Sequence, residues 1–275
     1  MIYLIINMYK QQNGYNIEAR NDLLETINFK IIENKLNVNI GDFVDVDLIK
    51  NKYQIVEKID KPNNFLDYYN KGKKDYKTLI KELTYYYKQI NDEDYKFLID
   101  ELVFKNEQFF YYPAAKSLHH AFIGGLAQHT IDMLEISDIF IKKYQLDKDL
   151  LYTAIILHDV GKLEELEDYG VKYSLKGSLL GHINIIYEKV SIIANDLNIN
   201  NELKIIFLKH LLLSHHGKYE YGSPKEPMIK EALILNFIDD IDAKINYLDK
   251  NLELVDKYTF TPMLLGMDRK KFLKI

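Results

Sequence analysis

The apolar residues of this chain change their period once. Up to Pro62 they fall in short strand-like runs bounded by turn residues, and beyond it they recur at the 3.6-residue spacing of helices. A chain divided in this way needs a sheet-built core for its first part and a packing of helices for the rest. In the first part, residues 3–9 run into Asn13-Gly14, a dipeptide suited to a tight hairpin turn. Segments 25–32, 43–49 and 53–59 read as further strands, with turns at Gly41-Asp42 and Asn51-Lys52, and together they predict a small β-barrel or sandwich. Between 65 and 112, Leu79, Leu83, Tyr86 and Ile90 share one helical face, and Asn91-Asp92-Glu93-Asp94 can cap a second helix reaching Phe104. After Pro113, helical spacing covers 117–143, 149–164, 177–197, 201–216 and 228–249, broken at Gly170, Gly177, Gly217 and Gly222-Ser223-Pro224. The expected fold class is multidomain α+β: a β module over 1–60, a helical connector over 61–112 and an all-α bundle over 113–275.

Composition removes several kinds of function. The 275 residues carry 36 Lys and Arg against 41 Asp and Glu, a net charge of −5, so the molecule as a whole does not attract duplex phosphate, although a local basic groove remains open to it. Without cysteine there is neither a disulfide framework nor a thiolate ligand, and any metal must rest on nitrogen and oxygen. No apolar run approaches the ~20 residues that span a bilayer, and the short apolar start lacks a basic leader, so no membrane partner and a cytoplasmic location are expected.

The histidines are distributed as sharply as the periods. All eight lie between His119 and His216, and none occurs in the first 118 residues. His158 and Asp159 end the apolar run 150–157; His129 lies on an otherwise apolar helix; His182 follows Gly181; His215 and His216 close a Leu-rich helix; Asp239 sits within another apolar helix. Each has an ordinary explanation taken singly, such as a helix cap, a hydrogen-bonded core imidazole or a dipole partner. Together they form a set of imidazole and carboxylate groups of the kind that holds divalent metal, where an unpaired carboxylate on an apolar helix would otherwise be costly. Neighbours on a helix point about 100° apart, so His158 and Asp159 can grip one ion at its edge or serve two ions together.

Leu118-His-His-Ala-Phe-Ile-Gly-Gly-Leu-Ala-Gln-His-Thr130, Leu157-His-Asp-Val-Gly-Lys162, Gly181-His-Ile183, Leu213-Ser-His-His-Gly-Lys-Tyr-Glu-Tyr-Gly-Ser-Pro224 and Ile238-Asp-Asp-Ile-Asp-Ala-Lys244 resemble the HD superfamily of metal-dependent phosphohydrolases, and within it the YhaM-type 3′–5′ exoribonucleases. The resemblance covers roughly residues 110 to 250. It implies an HD phosphohydrolase domain over 113–275 and an OB-like barrel, here shortened, over 1–60. Tyr15, Phe29, Phe43 and Tyr53 are the aromatic candidates for a base-stacking platform on that barrel, with ordinary barrel core as the competing reading. It further implies that His129, His158, Asp159 and Asp239 hold one ion and that His182 and His215 complete a second, Asp159 bridging; His216 replaces His215 or contacts phosphate. Mn²⁺ is the first choice for such ligands, with Fe, Co or Ni next.

Asp159 and Lys162 are the expected catalytic groups, and Lys162, Lys218, Tyr221 and Ser223 the expected substrate contacts. Neither His119 nor His120 is assigned as a ligand, and His210 is expected in the core. The expected function is a metal-dependent 3′–5′ phosphodiesterase for single-stranded RNA or DNA. The alternatives are an HD phosphohydrolase of nucleotides or cyclic dinucleotides, and a non-catalytic nucleic-acid-binding protein. The resemblance leaves room for a homo-oligomer.

Overall fold

The computed structural model describes residues 1–32, 36–116 and 120–275. Strands β1 (Ile2–Gln11), β2 (Gly14–Arg20), β3 (Thr26–Ile31), β4 (Phe43–Ile49) and β5 (Lys52–Ile59) form one antiparallel sheet in the order β3-β2-β1-β4-β5. This is barrel-like without closing: no ladder joins β3 to β5 among the described residues, and the Phe29 and Tyr53 rings meet across that seam at 5.9 Å. Alternation along β1 decides what each residue touches. Tyr3 and Ile5 enter the barrel core with Ile17, Val44 and Val46, while Leu4 faces the other way and packs with Phe43, Tyr68, Tyr69 and Val171 against the helical region. The four barrel aromatics follow the same logic. Phe43 is buried edge-on against Tyr68 at 5.1 Å, and Tyr15, Phe29 and Tyr53 pack on the barrel core.

Among the described residues eight α-helices follow: α1 (Tyr76–Tyr87), α2 (Glu93–Ile99, continued by a wider turn over Asp100–Phe104), α3 (Gly125–Tyr144), α4 (Lys148–Leu157), α5 (Lys162–Glu165), α6 (Leu175–Asp196), α7 (Leu203–Ser214) and α8 (Lys230–Glu253). A two-residue ribbon, β6 (Leu166–Glu167) with β7 (Lys172–Tyr173), joins α5 to α6. Three expected helices differ from those observed. Of the one expected from 117, residues 117–119 lie outside the described residues, 120–124 are not helical, and α3 begins at Gly125 after Gly124 at φ +82°; the one expected over 149–164 divides into α4 and α5 around Asp159; and α6 kinks at Gly181, which adopts φ 71° and ψ 154°. Two of these breaks fall beside candidate ligands, where continuous helix would aim the side chains elsewhere.

One core runs through all of this, from Leu79 and Leu83 of α1 through Ile131, Ile155, Val190 and Leu208 to Leu235 and Ile238 of α8. At its centre α4 is buried on every side from Leu150 to Leu157, the signature of a helix apolar all round. Whatever follows Leu157 is therefore delivered into the interior. No helix among the described residues is long and apolar enough to cross a membrane.

Candidate metal centre

His158 caps α4, and its Nδ1–H donates to the Ile155 carbonyl at 2.8 Å. His215 caps α7 in the same way, with Nδ1–H on the Leu212 carbonyl at 2.8 Å. His182 follows the Gly181 kink, and both its Nδ1 and its backbone N–H meet Glu165 Oε1 at 3.0 Å. His129 on α3 turns Nδ1 to Asp242 Oδ2 on α8 at 2.6 Å. Tying Nδ1 in this manner fixes both the ring's orientation and its tautomer, and leaves Nε2 as the outward ligand atom. Gly161 lets the turn between α4 and α5 lie directly on His182: a Cβ there would come within 2.1 Å of the His182 carbonyl oxygen.

All four Nε2 atoms converge on Asp159, which is 2% exposed. Its Oδ2 lies 3.3 Å from His158 and 3.8 Å from His129, and its Oδ1 lies 3.4 Å from His182 and 4.0 Å from His215. His129 Nε2 is also 3.2 Å from Asp239 Oδ1. Potential ligand atoms of His129, His158 and Asp159 lie within 4.8 Å of one another, as do those of His182, His215 and His216. The sequence candidates thus assemble into two groups on either side of one carboxylate.

The donor chemistry fits a divalent cation. The Nε2 atoms of His158, His182 and His215 and the Oδ1 of Asp159 are buried without a hydrogen-bond partner, a cost of about 1–3 kcal/mol apiece unless something accepts those lone pairs. Burial alone would raise the Asp159 and Asp239 pKa values. Electrostatic attraction from the neighbouring His158 and Lys162 side chains for Asp159, and hydrogen bonding to His129 for Asp239, reverse this and hold both carboxyls well below their usual range. His215 is driven down, first by burial and then by repulsion from His216 and His158, so it stays a neutral ligand. Nitrogen and oxygen donors with no thiolate suit Mn, Fe, Co, Ni or Zn.

His129 behaves differently. Burial works against its charge, but hydrogen bonds to Asp239 and Asp242 prevail and push its pKa up to about 10. Below that pH the metal-free site holds a proton that an incoming cation must displace. Binding of Mn²⁺ at pH 8 is therefore expected to release about one proton, with affinity rising roughly tenfold per pH unit from 7 to 9. Calorimetric titrations in two buffers of different ionisation enthalpy measure this directly, and zero proton release contradicts it.

Three supporting residues escaped the sequence reading. Asp242 Oδ2 accepts from His129 Nδ1 and lies 2.8 Å from His120 Nε2, while Glu165 orients His182. Asp242 carried a signal: it lies three residues from Asp239, hence on the same face of α8. Glu165 carried none; His119 and His120 precede the first candidate ligand helix, where the sequence lets one of them face the cleft without being a ligand, and His119 lies outside the described residues. Asp242→Asn is expected to weaken divalent-cation binding by about 10- to 100-fold by loosening His129. Mn²⁺ affinity of the variant tests this, and a wild-type value refutes the orienting role.

A cleft of 390 Å³ opens over the cluster, lined by Asp159, Lys162, His216, Tyr221, Asn236, Asp239, Asp240 and Ala243. Lys162 lies close by, its Nζ 2.6 Å from Asp159 Oδ2, its charge favoured by the surrounding carboxylates despite burial. His216 turns Nδ1 to the Tyr221 carbonyl at 3.0 Å, and the exposed Tyr221 ring stands at the cleft mouth. Lys218 and Ser223 are not among the lining residues. Lys218 pairs with Glu220 at 3.2 Å, and the buried Ser223 hydroxyl reaches the Leu213 and Lys225 carbonyls. His210 points away from the cluster, as expected, but is half-buried, and its Nε2 accepts the Met228 N–H at 3.0 Å, tying down the loop before α8.

The chain is similar to known proteins. The HD domain family matches residues 126–244. The chain is 43% identical over 199 residues to the 3′-5′ exoribonuclease YhaM of Geobacillus sp. (strain WCH70), an overlap covering 71% of this chain and 61% of the relative. It is 37% identical over 254 residues to the 3′-5′ exoribonuclease YhaM of Bacillus subtilis (strain 168), covering 91% of this chain and 73% of the relative. It is also 46% identical over 170 residues to the protein of that name in Oceanobacillus iheyensis, covering 61% of this chain and 53% of the relative. The chain therefore spans between about half and three quarters of the length of these relatives. No solved structure matches it.

Proposed function

We propose, for a chain that belongs to the YhaM family of HD-domain proteins, that it is a metal-dependent phosphodiesterase removing nucleotides from the 3′ end of single-stranded RNA. The observation that carries this reading is the set of buried, unpartnered donor atoms around Asp159, at the floor of a cleft wide enough for a nucleotide. Under it, His129, His158, Asp159 and Asp239 hold one cation, His182 and His215 a second with Asp159 shared, and His216 stands beside the second. Mn²⁺ is the favoured ion. When bound, such cations supply Lewis acidity, which acidifies a water and offsets phosphate charge. The division into a sheet module over 1–60, a connector over 61–112 and an HD region over 113–275 belongs to the same proposal.

The chain's own groups do the rest. Asp242 and Glu165 hold the His129 and His182 rings in place, so the ligand atoms are already aimed at the site. Lys162 places a positive charge at the cleft floor, where it can neutralise a phosphate oxygen. Tyr221 at the mouth offers a ring face to the terminal base. Lys218 and Ser223 support the reading only through the loop that carries Tyr221. A gel assay of 5′-labelled single-stranded RNA with Mn²⁺ tests the proposal. A ladder descending one nucleotide at a time is expected. An intact strand beside turnover of mononucleotides or cyclic dinucleotides overturns it in favour of a small-substrate phosphohydrolase.

A further inference from the structure

On the sheet module Phe43 is buried against Tyr68, and Tyr15, Phe29 and Tyr53 are half-buried against the barrel core, so none of the four presents a fully open ring to a strand of nucleic acid. A second cleft, of 270 Å³, separates β1 and β2 from the helical region. Its lining includes Asn7, Arg20, Lys116, Phe122, Tyr169 and Lys250. Arg20 is one of only two arginines in the chain, and its Nε is buried without a hydrogen-bond partner. Lys116 and Lys250 are exposed. Glu18, the carboxylate in this lining, is engaged by the Asn7 amide at 3.3 Å. Three cations around a narrow cleft, one of them a guanidinium with an unmet donor, make a site for phosphate oxygens, and the half-buried Phe122 ring supplies a stacking face between them.

One helix runs past both this cleft and the metal centre. Helix α8 lines the catalytic cleft with Asp239, Asp240 and Ala243, and a middle cleft of 520 Å³ with Asn246, Asp249, Lys250 and Glu253; Lys250 also lines the outer cleft. From residue 240 to 250 the helix rises about 15 Å, a span of a few nucleotides. Phe122 and Ala121 line both the outer and the middle cleft. We infer that the cleft between sheet and helices binds the phosphodiester backbone of the single strand trailing from the 3′ end, through Arg20, Lys116 and Lys250, with a base on Phe122. This rests on reading the chain as a 3′-end phosphodiesterase.

Binding of a fluorescein-labelled 12-nucleotide single strand, followed by anisotropy on the metal-stripped full chain, tests the inference apart from catalysis. Lys116→Ala and Lys250→Ala, both surface changes, are each expected to weaken binding roughly 5-fold and to lower the slope of log K against log salt by about 0.7. Affinity for a dinucleotide, and Mn²⁺-dependent hydrolysis of bis(4-nitrophenyl) phosphate, should stay at wild-type values. Arg20→Ala should act in the same direction and more strongly. Wild-type affinity and slope in both lysine variants overturn the inference, as does an equal loss for 12-mer and dinucleotide. A protein that binds the strand through these lysines yet never shortens it retires the 3′-end reading and leaves the subsite standing.

Discussion

Asp159→Asn is expected to reduce phosphodiester hydrolysis by at least about 10³-fold, roughly 4 kcal/mol of barrier, while the protein stays folded. The size follows from position. Among the described residues Asp159 is the one whose two oxygens face both imidazole groups, with His158 and His129 on one side and His182 and His215 on the other. An amide keeps the shape but contributes one oxygen and no charge, and Lys162, 2.6 Å away, loses its ion-pair partner. Asparagine is the better test than alanine because a cavity beside a buried ammonium would mix instability with lost catalysis. Steady-state hydrolysis and far-ultraviolet dichroism of the variant together decide the matter. Retained activity with native dichroism removes Asp159 from the centre of the site.

Stripping divalent metal is expected to abolish activity and to lower thermal stability. The cluster leaves three imidazole nitrogens and one carboxylate oxygen buried without partners. A cation that satisfies them binds the folded chain alone, because the unfolded chain does not bring α3, α4, α6, α7 and α8 together. Ligand present at 100 times its dissociation constant adds about 2.7 kcal/mol. For a chain of this length that corresponds to a Tm difference of about 5–10 °C between Mn²⁺-saturated and chelated protein. Thermal melts of the two forms measure it, and the Asp159→Asn variant should show a smaller difference. Coincident melts in the wild type refute tight binding at this cluster.

Much of this was legible without coordinates, for definable reasons. The strands were readable because short apolar runs in 1–60 are separated by turn residues, but the continuous apolar run 2–6 does not tell Leu4 from Ile5 by face, and the tight turn falls at Gln12-Asn13, with Gly14 already paired to Gln11. The residues that meet at the centre were readable because His158-Asp159, Gly181-His182 and His215-His216 end or interrupt apolar helices, where a polar pair is conspicuous. Helix starts were less legible. Gly124 and Gly181 take positive φ, and nothing local distinguishes a glycine that breaks a helix from one that sits inside it. The orienting carboxylates were harder still, since Asp242 acts on His129 across 113 positions of sequence, and Glu165 reaches His182 only because α5 folds back onto α6.

The sequence by itself determined the two kinds of core and the imidazole and carboxylate groups, without thiolate, that gather around Asp159, because these depend on side-chain pattern and type. The tertiary structure alone decided which nitrogen of each imidazole faces inward, which of Tyr221, Lys218 and Ser223 borders the cleft, and that Arg20 of the sheet module shares an opening with Lys250 of α8. Those outcomes depend on how helices distant in the chain are packed, and packing is settled by the whole core at once rather than by any local run of residues.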